Sequence, residues 1–318
     1  MHSRLLTERD FESFIQARGV FEVLTTLENS EYGRQLAGLK SGDVNPRTID
    51  SALLTHFNGV LTEVSSMLSP GDAAELRMVF LGEFDAKNIS AVVGGILSGM
   101  DGREIVKSLT PVGLLDRSIL EEASNAKNIE ELQSIIPSYA GILAEAGGLH
   151  AETSNIGLTK TLVERGMLLA NLTKVRGVFR SYLKLMVEAL DMVVVFRCKT
   201  ASIDAGRYVA GVRNILSEKQ FNEILQSDVL GALKILSQTR YGNTLQDLVK
   251  NIDSLQYVNQ QLDVFIDDEL QYRAMLNPLS AYFILTYLKK KLNNVVKLRA
   301  ILIGKHLGLS PEELSVLK

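Results

Sequence analysis

The sequence predicts an all-α protein built from three similar helical domains. Three observations predict it. A ten-residue phrase recurs along the chain, and apolar residues fall at helical rather than alternating spacing. The composition, dominated by Leu, Ala, Ile and Val, is only 6% aromatic with no Trp, and this favours helix over sheet. The 318 residues are 46% hydrophobic and 22% charged, ample apolar material for a globular core and, by length, for about two domains.

The recurring phrase is "LENSEYGRQL" at 27–36 and "LSQTRYGNTL" at 236–245. Both start and end on Leu and place Tyr-Gly sixth and seventh. The match extends upstream, where "LTERDFESFIQ" (6–16) aligns with "LSEKQFNEILQ" (216–226) in nearly the same register. A middle copy stands halfway, with "LDRSILEEASN" from Leu115 and "SIIPSYAGIL" carrying Tyr139. The unit is therefore about 105 residues long, and it divides the chain into residues 1–112, 113–214 and 215–318. Solenoid repeats run to roughly 20–50 residues. A longer unit can own a small core, and three of them closed about an axis give a pseudo-threefold body with a central depression.

Each copy repeats its elements in order. Thr7, Asp116 and Ser217 stand as helix N-caps at equivalent places. In the first copy Phe11, Phe14 and Ile15 mark one helix face, and Phe221, Ile224 and Leu225 mark it in the third. Leu53, Leu54, Phe57, Val60, Leu61, Val64, Met67 and Leu68 then continue for about four turns at i, i+3, i+4, i+7 spacing. Leu168, Leu169, Leu172, Val175, Phe179, Tyr182, Leu183 and Met186 do the same in the second copy. A polar landmark follows each tyrosine by 53, 52 and 52 residues: Asp85, Asp191 and Asn293. Arg197 and Arg299 next hold one place in copies two and three, where the first copy has Ala91. "VVVF" (193–196) is strand-like in composition, but its register with "VVKLRAI" makes it buried helix. "DGREI" (101–105) and "SPEEL" (310–314) read as capping boxes.

No catalytic constellation is expected. His2, His56, His150 and His306 are scattered and read as surface residues, and a closed zinc site needs about four ligands. Cys198 lies on an apolar helix and reads as a small buried hydrophobe; a single cysteine rules out a disulfide framework and fits a reducing compartment. "GLTKT" (157–161) lacks the Gly-x-x-x-x-Gly-Lys frame of a phosphate loop. No metal and no cofactor are expected. The opening "MHSRLLTERDF" has no apolar core of a signal peptide, and no run reaches the ~18 apolar residues of a membrane span.

Net charge is −3, so no global field calls for nucleic acid. From Gln271 to Ser310 there is no acidic residue, while Arg273, Lys289, Lys290, Lys291, Lys297, Arg299 and Lys305 give +7. The run reads as a solvated helix face balanced elsewhere, or as a surface toward an anionic neighbour. The Tyr32-Gly33 and Tyr241-Gly242 pairs read as helix stops with Gly supplying positive φ, or as close contacts in which the tyrosine faces a partner.

"MHSRLL", "LENSEYGRQL", "LDMVVVFRCK" and above all the C-terminal "AYFILTYLKKKLNNVVKLRAILIGKHLGLSPEELSVLK" resemble the family that comprises the C subunit of A-type ATP synthases and the d subunit of vacuolar ATPases. The resemblance spans the chain. The family usually carries Glu where this chain has Asn293 or Asn294, and its members commonly begin about one helix before the point matching Met1. It implies a funnel of three helical domains about a pseudo-threefold axis, on the cytoplasmic face of the cell membrane. Such a protein receives the central shaft, sits on the rotor ring of proteolipid subunits, performs no chemistry and transmits torque for ion-coupled ATP synthesis or hydrolysis. The expected contacts lie at the axial ends of the units, with Tyr32, Tyr139, Tyr241, Arg197 and Arg299 as candidates. An all-α scaffold for helical protein partners is the second reading, and an enzyme with a hidden carboxylate site the third.

Overall fold

The computed structural model describes residues 5–41, 44–242 and 255–315. Among them are sixteen α-helices and no strand, as the periodicity predicts. The chain packs as two compact units. One holds Met1–Ala73, Thr110–Val112 and Phe283–Lys318; the second holds Ala74–Leu109 and Gly113–Tyr282. The first unit thus joins the start of the first copy to the end of the third.

In that first unit α1 (Glu8–Gln16) begins at Thr7, whose hydroxyl and Asp10 cap each other reciprocally, and buries Phe11, Phe14 and Ile15. Then come α2 (Val20–Thr26), α3 (Gly33–Ser41) and α4 (Pro46–Ser66). Asn45 and Thr48 form a second reciprocal cap, and Pro46 occupies the first helical position, where its missing N–H costs nothing. The α4 stripe buries Leu53, Phe57, Val60, Leu61 and Val64 as predicted. It ends there: Met67 lies beyond the helix and is exposed. His56, expected at the surface, is buried on the same stripe.

The helix α5 (Pro70–Leu97) begins in the first unit and lies mostly in the second. It is followed by α6 (Gly102–Ser108), α7 (Arg117–Ser124), α8 (Ile129–Ile135), α9 (Ala140–Thr153), α10 (Ile156–Leu172) and α11 (Gly177–Thr200). The second unit is completed by α12 (Glu218–Gln226), α13 (Val229–Ser237) and α14 (Leu255–Leu276). Here α10 and α11 pack along each other, with α9 against α10 and α14 against α11. "VVVF" is interior helix: Val193, Val194, Val195 and Phe196 are all buried in α11, as is Cys198. Burial of such side chains stabilises by about 1.5–3 kcal/mol each.

The remaining helices, α15 (Tyr282–His306) and α16 (Pro311–Ser315), fall in the first unit from Phe283 on, and α16 packs on α1. Ser310 and Glu313 form the expected reciprocal cap. Its supposed counterpart does not form. Asp101 caps the Arg103 amide, but Glu104 turns to Lys107 instead, at 2.6 Å.

The Tyr-Gly pairs are not helix stops. Gly33 opens α3, and neither Gly33 nor Gly242 has positive φ. The glycine is required by contact: a Cβ on Gly33 would sit 2.0 Å from the Glu28 carbonyl oxygen, and one on Gly242 2.2 Å from that of Ser237. The same hydroxyl turn precedes each. The Ser30 hydroxyl donates to the Leu27 carbonyl and accepts from the Tyr32 amide; Thr239 does so between Leu236 and Tyr241.

Candidate partner-binding site

The tyrosines define three junctions: two at which a long helix of one sequence copy meets the next copy, and a third at which a helix of the last copy meets the first. On α5, Asp85 is buried and its carboxylate accepts from the amides of Leu114 and Leu115 at 3.0–3.3 Å. Gly113 permits that approach, since a Cβ there would lie 2.1 Å from Asp85 Oδ1. Burial raises the Asp85 pKa to about 6 against the pull of the two amides. Half-buried Tyr139 is near enough for the Asp85 charge to add to the burial that raises its own pKa.

On α11 the equivalent group is Glu188, also buried. It accepts from the amides of Asn214 (2.6 Å), Ile215 (3.1 Å) and Leu216 (3.3 Å), and from the Tyr241 hydroxyl (2.8 Å). The Tyr241 ring stacks on Phe265 at 3.9 Å. Burial, and then the Glu188 charge, hold the Tyr241 phenol protonated. One turn on, Asp191 receives the Ala210 amide and pairs with Arg213 at 3.2 Å and Arg165 at 3.7 Å. The sequence landmark Asp191 is therefore not the counterpart of Asp85. Glu188 is, and Asp85, Glu188 and Lys291 are evenly spaced at 103 residues.

At the third junction the charge is reversed. Lys291 on α15 is fully buried, ion-paired with Glu31, and lies 4.0 Å from the centre of the Tyr32 ring. Tyr32 packs on His56 at 4.2 Å, and His56 follows Tyr32 by the 24 residues that separate Phe265 from Tyr241. Burial, helped by the Lys291 charge, lowers the His56 pKa to about 4. Nearby, Asn294 donates to the Leu6 carbonyl at 3.4 Å.

The acid-free run is balanced by acids of the first copy: Lys291 by Glu31, Lys297 by Glu8 at 2.8 Å, and Arg299 by Asp50. It is not a uniformly solvated face, because Lys289 and Lys291 are buried.

Of the five candidate contact residues, Tyr32 and Tyr241 are closed inside the protein. Tyr139 and Arg197 are half-buried, and Arg299 is exposed with both Asp50 oxygens engaged. Arg197 lines a cavity of ≈ 290 Å³ between α5, α10, α11 and α14, shared with Glu83, Lys160, Glu164 and Asp263. Its Nε is buried without a hydrogen-bond partner, and Gly157 leaves room for its guanidinium, since a Cβ there would lie 2.6 Å from Nη1. Burial raises the Glu164 pKa and lowers that of Arg197, while the Glu164 charge partly restores the latter. The residues that sequence reasoning missed are Glu188, Lys291 and His56. Their signal was the even spacing and, for Tyr32 and Tyr241, the ring 24 residues further on.

The profile of a family described as ATP synthase (C/AC39) subunit matches residues 1–316. The chain belongs to that family. Similar curated proteins include the C subunit of the A-type ATP synthase of Methanocaldococcus jannaschii, 23% identical over 98% of this chain and 82% of the relative. That of Pyrococcus abyssi is 24% identical over 99% and 86%, and that of Haloquadratum walsbyi 24% over 92% and 88%. The C/AC39 chain is thus a subunit of an A/V-type ATP synthase, as the C-terminal motif implied. No described helix is long and apolar enough to cross a membrane, in keeping with a peripheral subunit.

Proposed function

We propose that this protein is the central-stalk socket of its rotary ATP synthase, holding the end of the shaft on one side and the membrane rotor ring on the other, on the cytoplasmic face. In this reading it is non-catalytic, and its three sequence copies are three helical domains closed about an axis. One observation carries the proposal. The long helix of the last copy seats, through Lys291, on Glu31 and Tyr32 of the first, as Glu188 of the second copy seats on Tyr241 of the third. A succession whose end engages its own beginning favours a closed body over a rod. Torque transfer needs stiff walls, and buried, hydrogen-bonded junctions resist deformation.

Tyr139, Arg197 and Arg299 are the proposed contact residues, with Tyr32 and Tyr241 acting from within by fixing the junctions. The test is to mix the purified chain with a detergent-solubilised rotor ring and with the shaft subunits. A one-to-one complex with each is expected, and the absence of both complexes overturns the function. Charge reversal of Arg197 and Arg299 together is expected to weaken at least one complex by about tenfold or more. Unchanged binding removes them from the interface while leaving the socket reading to the wild-type experiment.

A further inference from the structure

A second cavity, ≈ 390 Å³, opens at the start of α11 and is lined by Gly177, Arg180, Ser181, Lys184, Arg213, Asn214 and Arg273. Four of those side chains are cationic and none is acidic. Two are fixed from behind. The Arg213 guanidinium is paired with Asp191 and lies 3.1 Å from the centre of the Phe221 ring. Arg273 is held by Glu269 at 2.5 Å, and it donates to the Ser181 hydroxyl at 2.7 Å and to Asn214 Oδ1. The other two differ. Arg180 is exposed and Lys184 half-exposed, and among the described residues neither has an acidic partner.

The backbone adds to the same field. Gly177, Arg180, Ser181 and Lys184 fall at i, i+3, i+4 and i+7, so they share one face of the first two turns of α11. That helix has 24 residues; its N-cap, Arg176, makes no side-chain capping bond, and the Arg176 amide donates to the Glu75 carboxylate at 2.8 Å. A helix start carries partial positive charge. The two fixed guanidiniums are groups of the kind that recognise phosphate, and the two cations without an acidic partner supply net charge. The volume corresponds to about a dozen waters, more than one phosphate group requires.

We propose that this cavity binds a phosphate group, carried either by a soluble diphosphate or by an anionic lipid headgroup. Calorimetric titration of the full-length chain with pyrophosphate is expected to show one saturable site whose affinity falls with added salt. The double variant Arg180→Ser, Lys184→Ser is expected to bind at least about tenfold more weakly. Neither side chain holds the fold, so its melting temperature should match the wild type. The control double variant Arg103→Ser, Lys127→Ser removes the same charge elsewhere and should bind as wild type. No saturable site in the wild type, or equal loss in both double variants, overturns the proposal. Sedimentation with vesicles then distinguishes the source. Retention on phosphatidylglycerol vesicles but not on phosphatidylcholine, competed by pyrophosphate and lost in the Arg180/Lys184 variant, supports a headgroup; pyrophosphate binding without retention supports a soluble ligand.

Discussion

Glu188→Ala is the sharpest test of the junction reading. In the native protein one buried carboxylate accepts from three consecutive amides, those of Asn214, Ile215 and Leu216, and from the Tyr241 hydroxyl. Truncation leaves four donors without their acceptor. An unsatisfied buried donor costs about 1–3 kcal/mol, but Asn214 and Ile215 are only half-buried and can take water in place of the carboxylate. The expected loss is therefore about 3–5 kcal/mol, the range found when one partner of a buried charged network is removed. Glu188→Gln keeps one acceptor oxygen but turns an NH₂ toward donors, and should cost about 1–3 kcal/mol. A double-mutant cycle with Tyr241→Phe isolates the phenol bond, expected to show a coupling of about 1.5–3 kcal/mol.

The assays are urea denaturation for the total and amide hydrogen exchange at residues 214–216 for the location. Exchange at those three amides should accelerate in Glu188→Ala far more than at Leu114 and Leu115, whose acceptor is Asp85. A loss below about 0.5 kcal/mol, with exchange unchanged, would mean that the carboxylate does not hold the entry to the third copy.

Three further outcomes are expected. His56→Phe should remove an acid-labile element. A folded pKa of about 4 against 6.5 unfolded means that the unfolded chain binds the proton more tightly, so wild-type stability falls as pH drops from about 6.5 to 4; the variant should gain up to about 3 kcal/mol relative to wild type across that window in pH-dependent denaturation, and a flat difference refutes the assignment. Gly33→Ala should destabilise by about 3 kcal/mol or more, because its Cβ meets backbone, whereas Gly59→Ala, in the interior of α4 with nothing within 4 Å, should stabilise by about 0.5–1 kcal/mol; equal effects in thermal melts would show that the close approach at Gly33 is not limiting. Arg299→Ala should change stability by no more than about 1 kcal/mol, since its pair with Asp50 is half-exposed, so a larger drop by denaturation would assign it a folding role rather than a contact one.

The helical class and most helix faces were legible because they depend on local rules. Thr7 and Ser217 cap their helices as their residue types predict, Asp116 takes the N-cap place without a side-chain bond, and Phe11, Phe14 and Ile15 are buried together as their spacing predicts. What failed depended on which helix meets which. Asp191 and Glu188 lie one turn apart on the same buried face of α11, so spacing from Tyr139 could not decide which of them receives the next copy. The tyrosine glycines were identified as important for the wrong reason, because a Cβ-to-carbonyl clash across a turn leaves no trace in local propensity. His56 was misplaced because its polarity argued for the surface, while its spacing from Tyr32, matching Phe265 after Tyr241, argued for a ring in a stack.

The reversed charge at the third junction has a consequence for how similar copies find the correct neighbours. Three related helices presenting the same carboxylate could exchange partners at little cost, and a chain of near-repeats is prone to such misassembly. Here Asp85 and Glu188 can receive only donors, the amides that open the following copy. Lys291 can do the opposite: an ammonium set against the Leu114 or Leu216 amides would face like dipoles, buried and unpaired. Conversely, a carboxylate in the place of Lys291 would meet Glu31 and the electron-rich face of Tyr32. Each wrong pairing thus carries a cost of several kcal/mol from an unpaired buried charge, against correct pairings in which that charge is bonded. The lysine beside two carboxylates distinguishes the junction between the last sequence copy and the first from the two that precede it.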